Sequence, residues 1–401
     1  MDDMRGGIRF NIAMALTLTA VLAASPAWGG ALGRIQAIGT RDISAGADPD
    51  GFQIQSNCAA RTQLEHTWAE ATFEMVKPQF TYTSRCGAET RSSMTVYPMP
   101  YLNYGEPLGD WGAFGVDLKV PFGLGTDFEN NPQQLGYDTA TLIALTRLSP
   151  TLALRLSDQW SVGFALNAGM AQFQYKAPLA LGGMCMPVYT DNEAHGFGVG
   201  GGLGVMWKPG GDWTLGANWT SALKAHLEGD SKIMRGALQI RDDFDTSFVF
   251  PSRFDFGVTK QVNRHLVLGA DYHFWNYSKT PNDIVLQFEN LHISKSQLLA
   301  WKDGWGGRIG AAWKVNPSWT FRAGLGYLSQ SIPDKTMSTL TPDSPGFGMG
   351  AGVSRRFTDF LTVDASITRG GGSNRVDHGI WGRAKYSAEV TTVALSGNFD
   401  F

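Results

Sequence analysis

Past residue 30 the chain has no apolar run long enough to cross a membrane as a helix, yet segment after segment alternates apolar with small or polar residues. That period of two is the signature of a strand with two unlike faces. Trp160, Val162, Phe164, Leu166, Ala168 and Met170 interleave with Ser161, Gly163, Ala165, Asn167 and Gly169. Trp213, Leu215, Ala217 and Trp219 interleave with Thr214, Gly216 and Asn218, and Leu266, Leu268, Ala270, Tyr272 and Phe274 with Gly269, Asp271 and His273. Further on, Phe321, Ala323 and Leu325 flank Arg322 and Gly324, and Val363, Ala365 and Ile367 flank Asp364 and Ser366. Charges fall on the face opposite the apolar one.

A soluble sandwich alternates in the same way, with apolar residues in a core and polar ones in water. Connection lengths separate the two cases. Short turns at 105–110, 157–159, 209–212, 263–265, 316–318 and 358–360 alternate with longer links. Segregated short and long connections belong to outer-membrane barrels, and the count between them gives about fourteen strands with both termini periplasmic. Trp111, Trp160, Trp213 and Trp319 each follow a short turn directly, where a membrane-interface girdle belongs. The last strand carries Val393, Leu395, Phe399 and Phe401 on one parity, and its terminal aromatic resembles the signal read by the outer-membrane assembly machinery. The expected fold is all-β: a transmembrane antiparallel barrel.

The N-terminus fits export. Arg5 and Arg9 precede an apolar stretch, Ile12 to Ala24, followed by small residues near Ala27 and Gly29, the pattern of a cleaved signal over residues 1–29. The chain carries 49 Gly, 13 Trp and 23 Phe, and its formal net charge of −3 with no basic run argues against a nucleic-acid partner. Three cysteines, Cys58, Cys86 and Cys185, are too dispersed for a metal site. Either Cys58 pairs with Cys86 in the oxidising periplasm or all three stay unpaired. No Gly-x-Ser-x-Gly occurs, the seven His are scattered, and Asp242, Asp243 and Asp245 read as a solvated edge or loop, so neither catalysis nor a metal or other cofactor is expected.

Several local motifs resemble the FadL family of outer-membrane transporters of hydrophobic compounds, and the similarity runs along most of the mature chain. They are Pro121 to Phe128 (PFGLGTDF), Tyr272 to Ser278 (YHFWNYS), Trp301 to Trp305 (WKDGW) before Arg308-Ile309-Gly310, Trp319 to Gly324 (WTFRAG), Ser331 to Asp334 (SIPD) and Thr341-Pro342-Asp343. The resemblance implies an N-terminal hatch, here residues 30–68, plugging a barrel over residues 69–401. Asn57-Cys58-Ala59-Ala60 resembles the family's Asn-Pro-Ala signature, with Cys58 where proline is usual. It also implies sideways release of substrate beside a kink in the third strand, at Pro121, Phe122 and Gly123, and a monomer lodged among outer-membrane lipid and lipopolysaccharide.

A hydrophobic molecule needs an apolar landing site. Leu179, Leu181, Met184, Met186 and Val188 cluster in the third long loop and suit that role, or else simply pack the loop down. For a carboxylate, Lys176, Lys302, Lys314 and Arg322 are candidate partners, with pairing to Asp271, Asp303 or Asp364 as the structural alternative. The functional expectation is uptake of hydrophobic small molecules, long-chain fatty acids first. Aromatic hydrocarbons, a polar porin or a surface-binding barrel are the alternatives.

Overall fold

The computed structural model describes residues 57–179, 188–379 and 382–401. Fourteen antiparallel strands close into a barrel. They are β1 (Trp68–Thr83), β2 (Tyr97–Pro107), β3 (Gly112–Asn131), β4 (Tyr137–Arg155), β5 (Trp160–Leu179), β6 (Val188–Gly210), β7 (Trp213–Thr220, resuming as Leu223–Arg235), β8 (Leu238–Phe250, resuming as Ser252–Asn263), β9 (Leu266–Asn276), β10 (Gly304–Asn316), β11 (Trp319–Leu328), β12 (Gly346–Arg356), β13 (Leu361–Gly379) and β14 (Gly382–Asp400). β8 breaks at Pro251, which has no N–H to give the ladder. Closure is made by β1 against β14, in register from Trp68↔Asp400 to Thr83↔Lys385, and the Phe401 N–H donates to the Thr67 carbonyl. The proposed signal, residues 30–56 of the proposed hatch, and Leu181, Met184, Cys185 and Met186 lie outside the described residues.

Strand parity is as the alternation predicts. Phe73, Phe164, Leu166, Leu325 and Ile367 are exposed on the outer surface, whereas Ser161, Asp271, Arg322 and Asp364 are buried facing the lumen. Aromatic rings band the outer face at two heights. Near the short turns Trp160 stacks on Trp207 at 5.4 Å, and Trp319 lies beside Phe321 at 6.2 Å. Further up, Tyr272, Trp305, Tyr327 and Phe347 on four successive strands form a continuous row, with centroid separations of 6.3, 5.1 and 4.8 Å. Two such girdles mark the interfaces of a bilayer.

One open alternative is decided and one expectation is corrected. Cys58 and Cys86 are both free thiols. Cys58 sits beside Gly163 and Gly204 near the short-turn end, while Cys86 follows Thr83 at the far end of β1. A 16-residue strand spans about 50 Å, far beyond the ~7 Å Cα separation a disulfide tolerates. Asp242 is not solvated either: its carboxylate is buried and accepts from the N–H groups of Asn290 (2.8 Å) and Leu291 (3.1 Å). Asp245 accepts from Gln287 at 3.1 Å. These acids pin an external hairpin, Asp283–Phe288 against Ile293–Leu298, onto the upper part of β8, which it pairs at Phe244↔Phe288 where β9 has already ended.

Candidate functional site

The lumen divides into a polar base and an apolar upper chamber, and β5 shows both. Its inward positions run Ser161, Gly163, Ala165 and Asn167 at the base, then Phe173, Tyr175, Ala177 and Leu179 above.

The base holds the end of the hatch segment. Cys58–Gln63 form a 3-10 helix capped by Asn57, whose side-chain oxygen accepts from the Ala59 N–H at 3.0 Å and whose amide donates to the Val205 carbonyl at 2.9 Å. Arg61 is fully buried. It donates to Asn103 Oδ1 (3.1 Å) and the Tyr104 carbonyl (2.9 Å) and lies 3.6 Å from Asp117, which is also 2.9 Å from Lys119 Nζ. Burial pulls the guanidinium pKa down, and Asp117 works against that shift. Thr62 donates to Ser161 at 2.9 Å, and Arg155 reaches the Thr62 carbonyl at 2.6 Å. The wall makes room with glycine: a Cβ on Gly115 would strike the Arg61 guanidinium, and one on Gly163 the Cys58–Ala59 peptide. Cys58 fills the signature's proline position without disturbing the cap, and burial pushes its thiol up to about 11.

The chamber above is lined by Phe128, Phe173, Phe244, Phe288 and Trp301, with Phe122 packed on Phe250 at 5.2 Å. Its roof is the 329–345 connection, which folds back into the mouth and buries Ile332, Met337 and Leu340 in the same cluster. The two family-like pieces of this connection meet there, because the buried Asp343 carboxylate accepts from the N–H groups of Ser331 (2.7 Å) and Ile332 (2.9 Å). Burial raises the Asp343 carboxyl to about 6, against those hydrogen bonds and Lys302. Gln133 and Asn131 tie the roof down through Thr339.

β3 carries a break where base and chamber join. Its register with β4 shifts between Lys119↔Arg147 and Phe122↔Leu145. This bulge reverses the strand's facing. Asp117 and Lys119 are buried before it, Val120 within it, and Leu124 and Phe128 after it. The β2–β3 ladder covers only Leu102–Pro107 against Ala113–Leu118, although β2 begins at Tyr97 and β3 continues to Asn131. A lateral discontinuity therefore lies beside Pro121, with Val120 packed on Val76 and Met99 across it.

The candidate cations are not brought together. Lys176 has the parity opposite to Phe173 and Tyr175 and pairs with Asp191 at 3.3 Å. Lys302 is exposed at the mouth beside buried Trp301, Lys314 is exposed near a short turn, and Arg322 is buried low in the lumen, donating to Ser354. Among the acids proposed as their partners, Asp271 pairs with Arg308 at 2.5 Å, Asp303 accepts from Ser278, and Asp364 accepts from Asn398 at 2.7 Å. Leu179 is buried in the chamber. The sequence reading passed over Arg61, Asp117 and Lys119. The signal for the last two was two charges at alternate positions of an otherwise apolar strand, Val116-Asp117-Leu118-Lys119-Val120.

A closed fourteen-strand barrel with a short helix seated in its base and a bulged third strand is a narrow architecture, and the model of the family described as Outer membrane protein transport protein (OMPP1/FadL/TodX) matches residues 33–397. The chain belongs to this family. Its place is therefore the bacterial outer membrane, and its task the transport of hydrophobic compounds. A long-chain fatty acid transport protein of Escherichia coli O6:H1 is 21% identical over 80% of each chain. Outer membrane protein P1 of Haemophilus influenzae is 19% identical over 66% of this chain and 64% of that one. Among solved structures, a FadL homologue of Pseudomonas aeruginosa superposes with a TM-score of 0.77 at 18% identity, covering 94% of this chain and 99% of that one. The toluene transporter TbuX of Ralstonia pickettii gives 0.73 at 17%, covering 93% and 98%. At such identities the structural likeness establishes the fold.

Proposed function

We propose that the protein takes up long-chain fatty acids by diffusion, passing them from the mouth into the apolar chamber and out sideways into the bilayer beside Pro121, Phe122 and Gly123. The observation that carries this reading is the junction of chamber and break: the apolar lining ends at Phe122, the first residue past the β3 bulge. A hydrophobic molecule gains about 25 cal/mol per Å² of apolar surface removed from water, so a route that never crosses the aqueous periplasm keeps that gain throughout. The hatch, residues 30–68, anchored through Asn57, Cys58, Ala59 and Arg61, blocks the straight path below. Leu179 leads from the mouth into the chamber, with Leu181, Met184 and Met186 on the loop just beyond it. Lys302 at the mouth supplies a cation for a carboxylate, whereas Lys176 and Arg322 serve the wall.

Aromatic hydrocarbons are the second reading, favoured by the rings lining the chamber and by the toluene transporters among the structural neighbours. The test is uptake of radiolabelled oleate, and separately of toluene, by cells lacking their own transporter and expressing this protein. Restored oleate uptake that drops in Lys302→Gln supports the fatty-acid reading. Toluene uptake without oleate uptake, from a correctly folded barrel, replaces it with the second.

A further inference from the structure

We infer that the outward face of β13, β14 and β1 binds the phosphates of a lipopolysaccharide molecule. The outward columns of these three strands change character part-way up. On β1, Phe73 and Met75 give way to Lys77, on β13 Ile367 gives way to Arg369, and on β14 Leu395 and Val393 give way to Thr391 and Glu389. The register places Lys77 and Arg369 on either side of Thr391, in a single row across the three strands. At about 4.8 Å per strand the two cations are roughly 10 Å apart, a span that one phosphorylated sugar headgroup fills. Apolar side chains below and cations immediately above match a lipid whose acyl chains end in phosphorylated sugars.

Higher on the same face two cations oppose each other. Arg375 stands directly opposite Lys385, both exposed. Like charges directly opposed across an antiparallel pair are destabilising unless an anion lies between them. Among the described residues no carboxylate is within ion-pair distance of Lys77, Arg375 or Lys385. The remaining charges of the patch compensate one another: Arg369 with Glu389 at 3.0 Å, Arg383 with Asp377 at 3.0 Å, and Arg91 with Glu89 at 3.8 Å. The surplus is cationic. The opposite wall has no such surplus: Lys232 stands opposite Arg241 there, but Asp191 is paired across from Lys232, and Glu193, Glu228, Asp230 and Asp243 share the outward positions with Lys224 and His226. Basic side chains clustered at headgroup height are the usual means of holding an anionic lipid, and arginine meets a phosphate through two parallel hydrogen bonds.

The experiment measures, by native mass spectrometry on the purified full-length barrel, retention of a deep-rough lipopolysaccharide carrying both lipid A phosphates. Its phosphate-free counterpart is run alongside. Wild type is expected to retain the phosphorylated lipid about tenfold better than the phosphate-free one, a modest return for a few charge-assisted contacts. Lys77→Gln/Arg369→Gln and Arg375→Gln/Lys385→Gln, each made separately and checked for folding by heat-modifiable gel mobility, should each lose most of that preference. Lys224→Gln/Arg241→Gln on the opposite wall should keep it. Equal retention of the two lipids by wild type overturns the inference without recourse to any variant. Unchanged preference in both patch variants, or an equal loss in the opposite-wall control, overturns its placement.

Discussion

Arg61 is a charge taken wholly out of water to hold a short helix against a barrel wall. Its compensation is Asp117, with Asn103 and the Tyr104 carbonyl as further acceptors. Removing Arg61 takes one of two cations from Asp117, Lys119 remaining at 2.9 Å, and leaves the Asn103 and Tyr104 acceptors without their donor, a loss of about 3 kcal/mol. Arg61→Ala should therefore cut hydrogen-exchange protection of the Asn57–Gln63 amides by roughly a hundredfold, taking 1.4 kcal/mol per tenfold. Barrel-strand amides should change little. Uniform loss across barrel and hatch would show that Arg61 supports the wall itself rather than the hatch. Cysteine chemistry offers a second test at this scale. Cys58 is buried with its thiol raised to about 11, whereas Cys86 is exposed and its thiol is lowered by a hydrogen bond from Ser84. The thiolate is the reactive species. In a Cys185→Ser background, maleimide at neutral pH should label Cys86 and spare Cys58 until the protein is denatured. Labelling that needs prior reduction would restore the disulfide rejected above.

The 329–345 connection is the element whose behaviour depends most on pH, through Asp343. An ordinary Asp ionises near 3.9, and this one near 6, so the folded roof holds the proton over a range where the unfolded chain has lost it. The stabilisation this gives is complete below the ordinary carboxylate range and is lost as pH rises through about 6. Exchange protection of the Ser331 and Ile332 amides should accordingly be higher at pH 5 than at pH 7.5, and Asp343→Asn should flatten the difference. A steeper rise in the variant, or greater protection at pH 7.5 in wild type, would contradict the assignment. Elements differ in how far their sequence exposes them. Trp160 to Met170 states which face of β5 meets lipid, because an unbroken period of two has one solution once the outer face is apolar. β3 does not, since the bulge at Val120 exchanges its faces; Pro121 marks the place but cannot reveal the exchange. Asp242 was misread because its partners, the Asn290 and Leu291 amides, come from a hairpin far along the chain. The inward apolar residues of the upper strands escaped for a different reason. At Phe173 and Tyr175 the alternation inverts, with Gln172, Gln174 and Lys176 on the outer face, so the apolar parity that marks lipid from Trp160 to Met170 marks the chamber here.

At the scale of the whole molecule, three features stand in series: a roofed apolar chamber, the Cys58–Gln63 helix seated in a polar base, and a lateral break between β2 and β3. Each was legible in part. Alternation and turn lengths yielded the barrel, and family-like motifs pointed to the Asn57-Cys58-Ala59-Ala60 segment and to the third strand. The chamber's roof depends on contacts between distant segments, such as Asn131 with Thr339, which no local pattern encodes. Release beside Pro121 requires the break to open, and a cross-link across it tests that requirement. With the native cysteines replaced, Met99→Cys and Val120→Cys place a thiol on each side of the break, at positions already packed together. Uptake of oleate and toluene is then followed in transporter-deficient cells before and after oxidation, and again after reduction. With lateral release, the cross-linked protein should carry neither compound above the level of cells without it, and reduction should restore transport. Full uptake through a fully cross-linked barrel would contradict lateral release and send the substrate past the hatch.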